Sequence, residues 1–257
     1  MYRAGFAGKL YINMDDIKSL LTGYAERYET AAFLPEDPSC FMHRVSGRLN
    51  QETIAFIASS VSYGSRKQFM PKIQHILDCS GGEPYEWVRS GQFDRDIPCS
   101  DECFYRLYTM RTMNSFLHAL RSMLEEYGSI GGFVEAEATD GLSAVKAICG
   151  YFAARGITGI IPKDTTSACK RVCMFLRWMV RDGSPVDLGL WSSFIDKRTL
   201  IIPMDTHVVQ EARRLGLISG SSASMASARK LTKALAAIFP DDPLKGDFAL
   251  FGYGVNK

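Results

Sequence analysis

Apolar side chains recur every three or four residues through most of this chain, and convincing runs of strict alternation are missing. At about 100° per residue that spacing lays one apolar stripe along a helix, and stripes of this kind are hidden by packing helix on helix. A first helix is expected from Asp15 to about Tyr28, with Ile17, Leu20, Leu21 and Tyr24 inward. Pro35 and Pro38 then forbid regular structure. Ile54, Ile57, Ala58 and Val61 mark a second helix stopped by Gly64; Phe69, Ile73, Ile76 and Leu77 mark a third. The text from 79 to 99 is polar and broken, so a loop with one short helix is expected there. A long helix carries Phe116, Leu117, Leu120 and Leu124, capped by Asn114 and closed at Gly128. Counting gives about nine to eleven helices joined by short Gly- and Pro-marked turns. The fold class is therefore all-α, a layered bundle rather than a solenoid.

A formal charge of +2 permits a nucleic-acid partner without arguing for one, so any basic surface must come from local clustering. No apolar run approaches the ~18 residues of a membrane span. The opening MYRAGFAGKLYINMDD has no continuous apolar core, so no signal peptide is expected and the chain is placed in the cytoplasm. Seven cysteines in that setting read as reduced thiols. The close pairs Cys99/Cys103 and Cys169/Cys173 are not CxxC motifs, and the histidines are scattered, so neither a metal nor a cofactor is expected.

Chemistry concentrates between Pro162 and His207. Ser167 reads as the N-cap of a helix whose inward stripe is Ala168, Val172, Leu176 and Met179. Lys170, Arg177 and Arg181 share its other face, with Arg171 beside them, which makes either a basic binding stripe or an ordinary solvated face. Further on, Pro203 prevents helix and Asp205 opens an amphipathic helix through Val208, Val209, Ala212 and Leu215. Aspartate is a preferred N-cap. One carboxylate oxygen can accept backbone N–H bonds while the other faces a cleft, which would keep the acid ionised.

Pro162 followed by Ser167-Ala168-Cys169-Lys170-Arg171-Val172, and then Pro203-Met204-Asp205-Thr206-His207-Val208, resemble in that order the lysine-bearing and the aspartate-bearing elements of the helix-hairpin-helix DNA glycosylases. The chain is also similar to an uncharacterised bacterial family marked by Ser-Ala-Cys-Lys-Arg, Phe-Leu-Arg-Trp-Met-Val-Arg and Asp-Phe-Ala-Leu-Phe-Gly, the last at 247–252. The glycosylase resemblance implies a two-lobed helical fold with a cleft between lobes. The middle lobe would span 45–182, and the second would combine 1–44 with 183–257. It further implies base excision from damaged double-stranded DNA by a monomer associated with the nucleoid, with AP-lyase activity and oxidised guanine as the suggested base.

In that scheme Lys170 forms a Schiff base at C1′, and Asp205 stabilises the positive sugar. Burial and the neighbouring Arg171 would favour a deprotonated amine. Lys163, Thr165, Thr166, Ser167, Arg171, Arg177 and Arg181 would hold DNA. Phe104, Tyr105, Trp191, Phe248 and Phe251 are candidates for the pocket that receives the extruded base, and His207 supports the site. Two departures stand out. Lys163-Asp164-Thr165-Thr166 lacks the glycines that let hairpin amides approach a phosphate, and the stretch between Lys170 and Asp205 is longer than in the endonuclease III branch, closer to archaeal 8-oxoguanine glycosylases. No cysteine follows Cys173, so the iron–sulfur cluster of some members is not expected. A monofunctional glycosylase using water, a non-catalytic nucleic-acid binder on the same fold, and a helical scaffold protein are the alternatives.

Overall fold

The computed structural model describes residues 14–255; the reading of the first residues as lacking a signal peptide lies largely outside them. Among the described residues twelve α-helices account for nearly all regular structure, and the fold is all-α with one short hairpin. The helices are α1 (Met14–Tyr28), α2 (Arg48–Val61), α3 (Arg66–Cys79), α4 (Pro84–Arg89), α5 (Phe93–Asp96) and α6 (Met110–Tyr127). They continue with α7 (Ile130–Glu137), α8 (Gly141–Ala154), α9 (Lys170–Val180), α10 (Thr206–Arg214), α11 (Met225–Ala236) and α12 (Lys245–Val255). Short 3-10 turns at Ala31–Glu36 and Pro38–His43 carry the chain from α1 to α2. No helix among the described residues is long and apolar enough to cross a membrane.

Helix α2 sits at the centre. Every residue from Glu52 to Val61 is buried, and the helix packs against the Pro38–His43 turn, α3, α4, α7 and α9. Its polar Glu52 is satisfied internally: Oε1 accepts the Trp191 indole N–H at 2.6 Å and Oε2 accepts the Gly131 amide at 3.0 Å. Burial nevertheless pushes the Glu52 carboxyl up. Phe56 anchors an aromatic cluster with Phe116, Phe152 and Phe175, which ties α2 to α6, α8 and α9. Burying each such ring removes enough apolar surface to contribute about 1.5–3 kcal/mol. Helix α1 packs on α12, which also holds α10.

Local signals were read unevenly by sequence. Gly128 does close α6, adopting φ 76°, and Phe116, Leu117, Leu120 and Leu124 are buried. The cap of α6 is Thr109, not Asn114: Thr109 Oγ1 accepts the Thr112 amide at 3.1 Å. Asn114 lies one turn inside, buried, donating to Asp94 and to the Ile97 carbonyl. Two short helices, α4 and α5, occupy the segment expected to hold one. Strands β1 (Cys103–Tyr105) and β2 (Tyr108–Thr109) form an antiparallel hairpin that helical periodicity did not reveal, because two to three residues are too few to show alternation.

Candidate active site

Asp205 ends an extended, buried segment from Ile201 to Met204 and caps α10. Its two oxygens do different things. Oδ1 accepts the His207 amide at 2.8 Å, and Oδ2 meets Lys170 Nζ at 2.6 Å. Burial alone would push the Asp205 carboxyl up. The charge and hydrogen bond of Lys170 and the His207 amide outweigh it and hold the carboxyl below its usual range. The Lys170 side chain keeps 38% of its surface accessible and that of Asp205 17%, so the pair is open to solvent from one side.

Lys170 is the first residue of α9. The cap before it is Cys169, with φ 48°, rather than Ser167. Ser167 instead bridges to Ser224, and the Ala168 amide donates to the Ala223 carbonyl, so the chain enters α9 pinned against the strand-like segment before α11. A non-glycine residue in the left-handed region costs about 1–2 kcal/mol. Here it turns the chain sharply enough to present Lys170 at the very start of the helix.

Both side chains open into one cleft of about 280 Å³. Phe33, Phe69, Met174, Pro203 and Phe251 give it apolar walls, and Asp37, Arg66, Arg177 and Asp247 add charge. Asp247 and Phe251, one turn apart on α12, both line it, and His207 lies edge-on to the Phe251 ring at 6.3 Å. Arg66 sits over Phe251, 5.4 Å from the ring centre. Asp37 Oδ1 accepts from the Ser39 amide and hydroxyl, while Oδ2 faces Arg66 at 4.0 Å. Among the described residues, groups of His, Cys, Asp and Glu able to hold a metal ion are absent.

The other expected site residues divide sharply. Lys163, Thr166 and Ser167 are exposed and Thr165 half-buried on the loop from 155 to 169, where Asp164 accepts the Thr166 amide at 2.8 Å. Arg171 turns away from Lys170, donating to the Ser60 carbonyl at 2.6 Å, to the Gly159 carbonyl at 3.0 Å and to the Tyr108 hydroxyl. Its guanidinium therefore braces the hairpin, and the expected electrostatic pressure of Arg171 on the Lys170 amine has no contact behind it.

Arg177 and Arg181 correct the predicted basic stripe. Both are buried, in an ion-pair network with Asp187, Asp247, Asp242 and Glu29. The helical spacing was right, but the face they share looks into the protein. Buried guanidinium groups need such partners, since an unpaired charge there is strongly destabilising. They tie α9 to the end of α1 and to α12, and only Arg177 reaches the cleft wall.

Four of the five expected pocket aromatics are also packing residues. Trp191 is fully buried against Phe175 and bound to Glu52. Phe248 lies beneath Arg177 and Arg181, at 4.4 and 5.2 Å from its ring centre. Phe104 and Tyr105 are buried in the hairpin. Phe251 alone of the five lines the cleft. Phe33, Asp37, Tyr63, Gly64 and Arg66 were missed; they lie far from the recognised motifs, and folding alone brings them to Lys170. Asp247 had a signal, since it stands four residues before Phe251 in the Asp-Phe-Ala-Leu-Phe-Gly element.

A family model described as "Protein of unknown function (DUF2400)" matches residues 37–256, most of the chain. The chain belongs to the DUF2400 family. That match takes in every cleft residue except Phe33, so the cleft is a feature of the DUF2400 portion rather than of an added segment. No curated protein and no solved structure matches the chain.

Proposed function

We propose that the chain is a DNA N-glycosylase that removes a damaged base from DNA, on a fold of the helix-hairpin-helix type. In this reading α8, the loop from 155 to 169 and α9 form the helix-hairpin-helix unit, and the cleft receives the extruded nucleotide. One observation carries it: an amine and a carboxylate, 35 positions apart in sequence, meet at 2.6 Å in a cleft with aromatic walls.

The chemistry follows from that geometry. As the C1′–N bond lengthens, positive charge grows on the sugar, and the Asp205 carboxylate offsets it in a partly dehydrated site. Lys170 Nζ then bonds to C1′ while the glycosidic electron pair leaves with the base. The ammonium proton passes to the departing base nitrogen, which frees the amine lone pair for attack. The nitrogen lone pair then forms the C1′=N bond as the C1′–O4′ bond breaks and O4′ takes a proton, and the resulting Schiff base permits β-elimination, in which the C2′ proton is removed and the 3′ phosphate leaves. Phe251 offers a face for stacking. Asp37 and Asp247 offer acceptor oxygens suited to a base with adjacent N–H donors, as oxidised guanine has.

A second reading has one observation in its favour: Lys170 is ion-paired, and a protonated amine is not a nucleophile. A water oriented by Asp205 would then attack C1′. Incubation with a panel of lesion-bearing duplexes under borohydride separates the two. The lyase reading expects a covalent adduct that Lys170→Gln abolishes. Base release without an adduct, surviving Lys170→Gln, selects water. A protein that neither releases a base nor is trapped on any duplex refutes both.

A further inference from the structure

Three buried cysteines, Cys149, Cys169 and Cys173, gather where α8 packs on the start of α9. Two of them touch. The Cys149 thiol donates to Cys169 Sγ at 3.9 Å, on the residue directly before Lys170. Cys169 is also the residue at φ 48° that turns the chain into α9. Its thiol ties down the end of the loop, donating to the Asp164 carbonyl at 3.2 Å and lying 3.8 Å from the Ser167 hydroxyl. Asp164 and Ser167 are themselves exposed, so this loop is what screens Cys169 from solvent. Cys173 turns elsewhere, donating to the Ala168 carbonyl at 3.5 Å.

The two touching thiols are not equivalent. The hydrogen bond from Cys149 holds the Cys169 thiol below its usual range in spite of burial, and the same bond together with burial pushes the Cys149 thiol up. A thiolate attacks where a thiol does not. Cys169 is therefore placed to react first, and Cys149 stands in contact to resolve what forms.

We infer that Cys149 and Cys169 are a peroxide-sensitive dithiol, and that closing them into a disulfide draws Lys170 off Asp205 and switches the cleft off. This rests on the reading of Lys170 as the working amine of the cleft, and adds its regulation. The Cys169 sulfur attacks one oxygen of hydrogen peroxide; the O–O bond breaks, the thiol proton leaves with the departing hydroxide as water, and Cys169 becomes a sulfenic acid. The Cys149 sulfur then attacks the Cys169 sulfur. The S–S bond forms, the S–O bond breaks, and the Cys149 proton leaves with that hydroxide as a second water. Two thiols give up two electrons, and one peroxide takes them.

Bonding requires the sulfurs to close from 3.9 Å to about 2 Å. Cys149 has little room to move, because it lies within α8 beside Ile148 and Phe152, both fully buried in a close-packed core. The displacement falls on Cys169, which also loses its S–H and with it the bond to Asp164. Lys170 is the next residue, and its 2.6 Å contact with Asp205 does not survive a shift of about 1 Å.

The test treats the whole chain with hydrogen peroxide and maps its thiols by tryptic digestion without reductant. A crosslink between peptides 147–155 and 164–170 is expected. Crosslinked protein should excise a lesion base about a hundredfold more slowly, the cost of misplacing a reacting group by about 1 Å, and should recover in dithiothreitol. Labelling of the Lys170 amine by acetic anhydride, followed by mass spectrometry, reads the displacement without any substrate and should quicken severalfold. Cys149→Ser and Cys149→Ala retain the exposed Cys99 and Cys103, and whichever of them folds should keep its activity through the same treatment. The switch is overturned by the absence of that crosslink, by a crosslink that leaves excision or labelling as before, or by peroxide inactivation of the Cys149 variants; base excision then stands. A reduced chain that excises from no duplex, with labelling still quickened by the crosslink, overturns base excision alone.

Discussion

Asparagine at position 205 separates the two oxygens of one side chain. Oδ1 accepts the His207 amide, and asparagine caps a helix about as well as aspartate, so α10 should start as before. What is lost is the charge beside Lys170. A unit charge about 4 Å from a sugar cation, at an effective dielectric near 20, is worth about 4 kcal/mol. That corresponds to roughly a thousandfold in rate. The fold should notice little, because Lys170 is more than a third exposed and such screened pairs contribute about 0–1 kcal/mol. Asp205→Ala gives the contrast, losing the charge and also a cap worth ~1 kcal/mol, or about 2–4 °C of melting temperature in a chain of this size. Single-turnover excision with enzyme in excess reads the first effect, and thermal melts read the second. If Asp205→Asn excises within about tenfold of wild type, the carboxylate does not stabilise the sugar, and Asp205 is a helix cap and nothing more.

Two further outcomes follow from the interior. Trp191→Phe strands a buried oxygen of Glu52 and should destabilise the protein by about 1–3 kcal/mol in urea titrations. The excision rate should hold, because Trp191 is not part of the cleft lining; a lost rate at full occupancy would restore it as a base-contacting residue. Burial, opposed by Arg177 and Arg181, pushes the Asp247 carboxyl up to about 6. A raised acid contributes stability that is complete below its unfolded value of about 4 and is lost as pH rises through about 6. Asp205, held low, contributes in the opposite sense, and its share is lost as pH falls. Asp247→Asn should therefore flatten the fall in urea midpoint between about pH 4 and 7; a parallel curve would remove Asp247 as its source.

Much of this molecule can be read along the chain wherever a local rule decides. The stripes of α1, α2 and α6, the stop at Gly128 and the cap at Asp205 are properties of a few neighbouring residues, and the structure keeps each. The hairpin was invisible because it is shorter than a period, and the Ser167 cap failed because pairing with Ser224 drew that residue into a bridge. Arg177 and Arg181 show the limit most clearly. Helical spacing placed them correctly on one face but could not say whether that face met water or the four acids of Glu29, Asp187, Asp242 and Asp247.

The sequence by itself determined an all-α chain, since periodicity and capping act over a few residues, and its resemblance to the helix-hairpin-helix glycosylases marked Lys170 and Asp205. Tertiary structure alone decided that these two side chains touch and that Phe251 and not Trp191 faces their cleft. The reason is that burial and charge pairing depend on which faces meet. That choice is made by the packing of the whole core, and no window of the chain contains it.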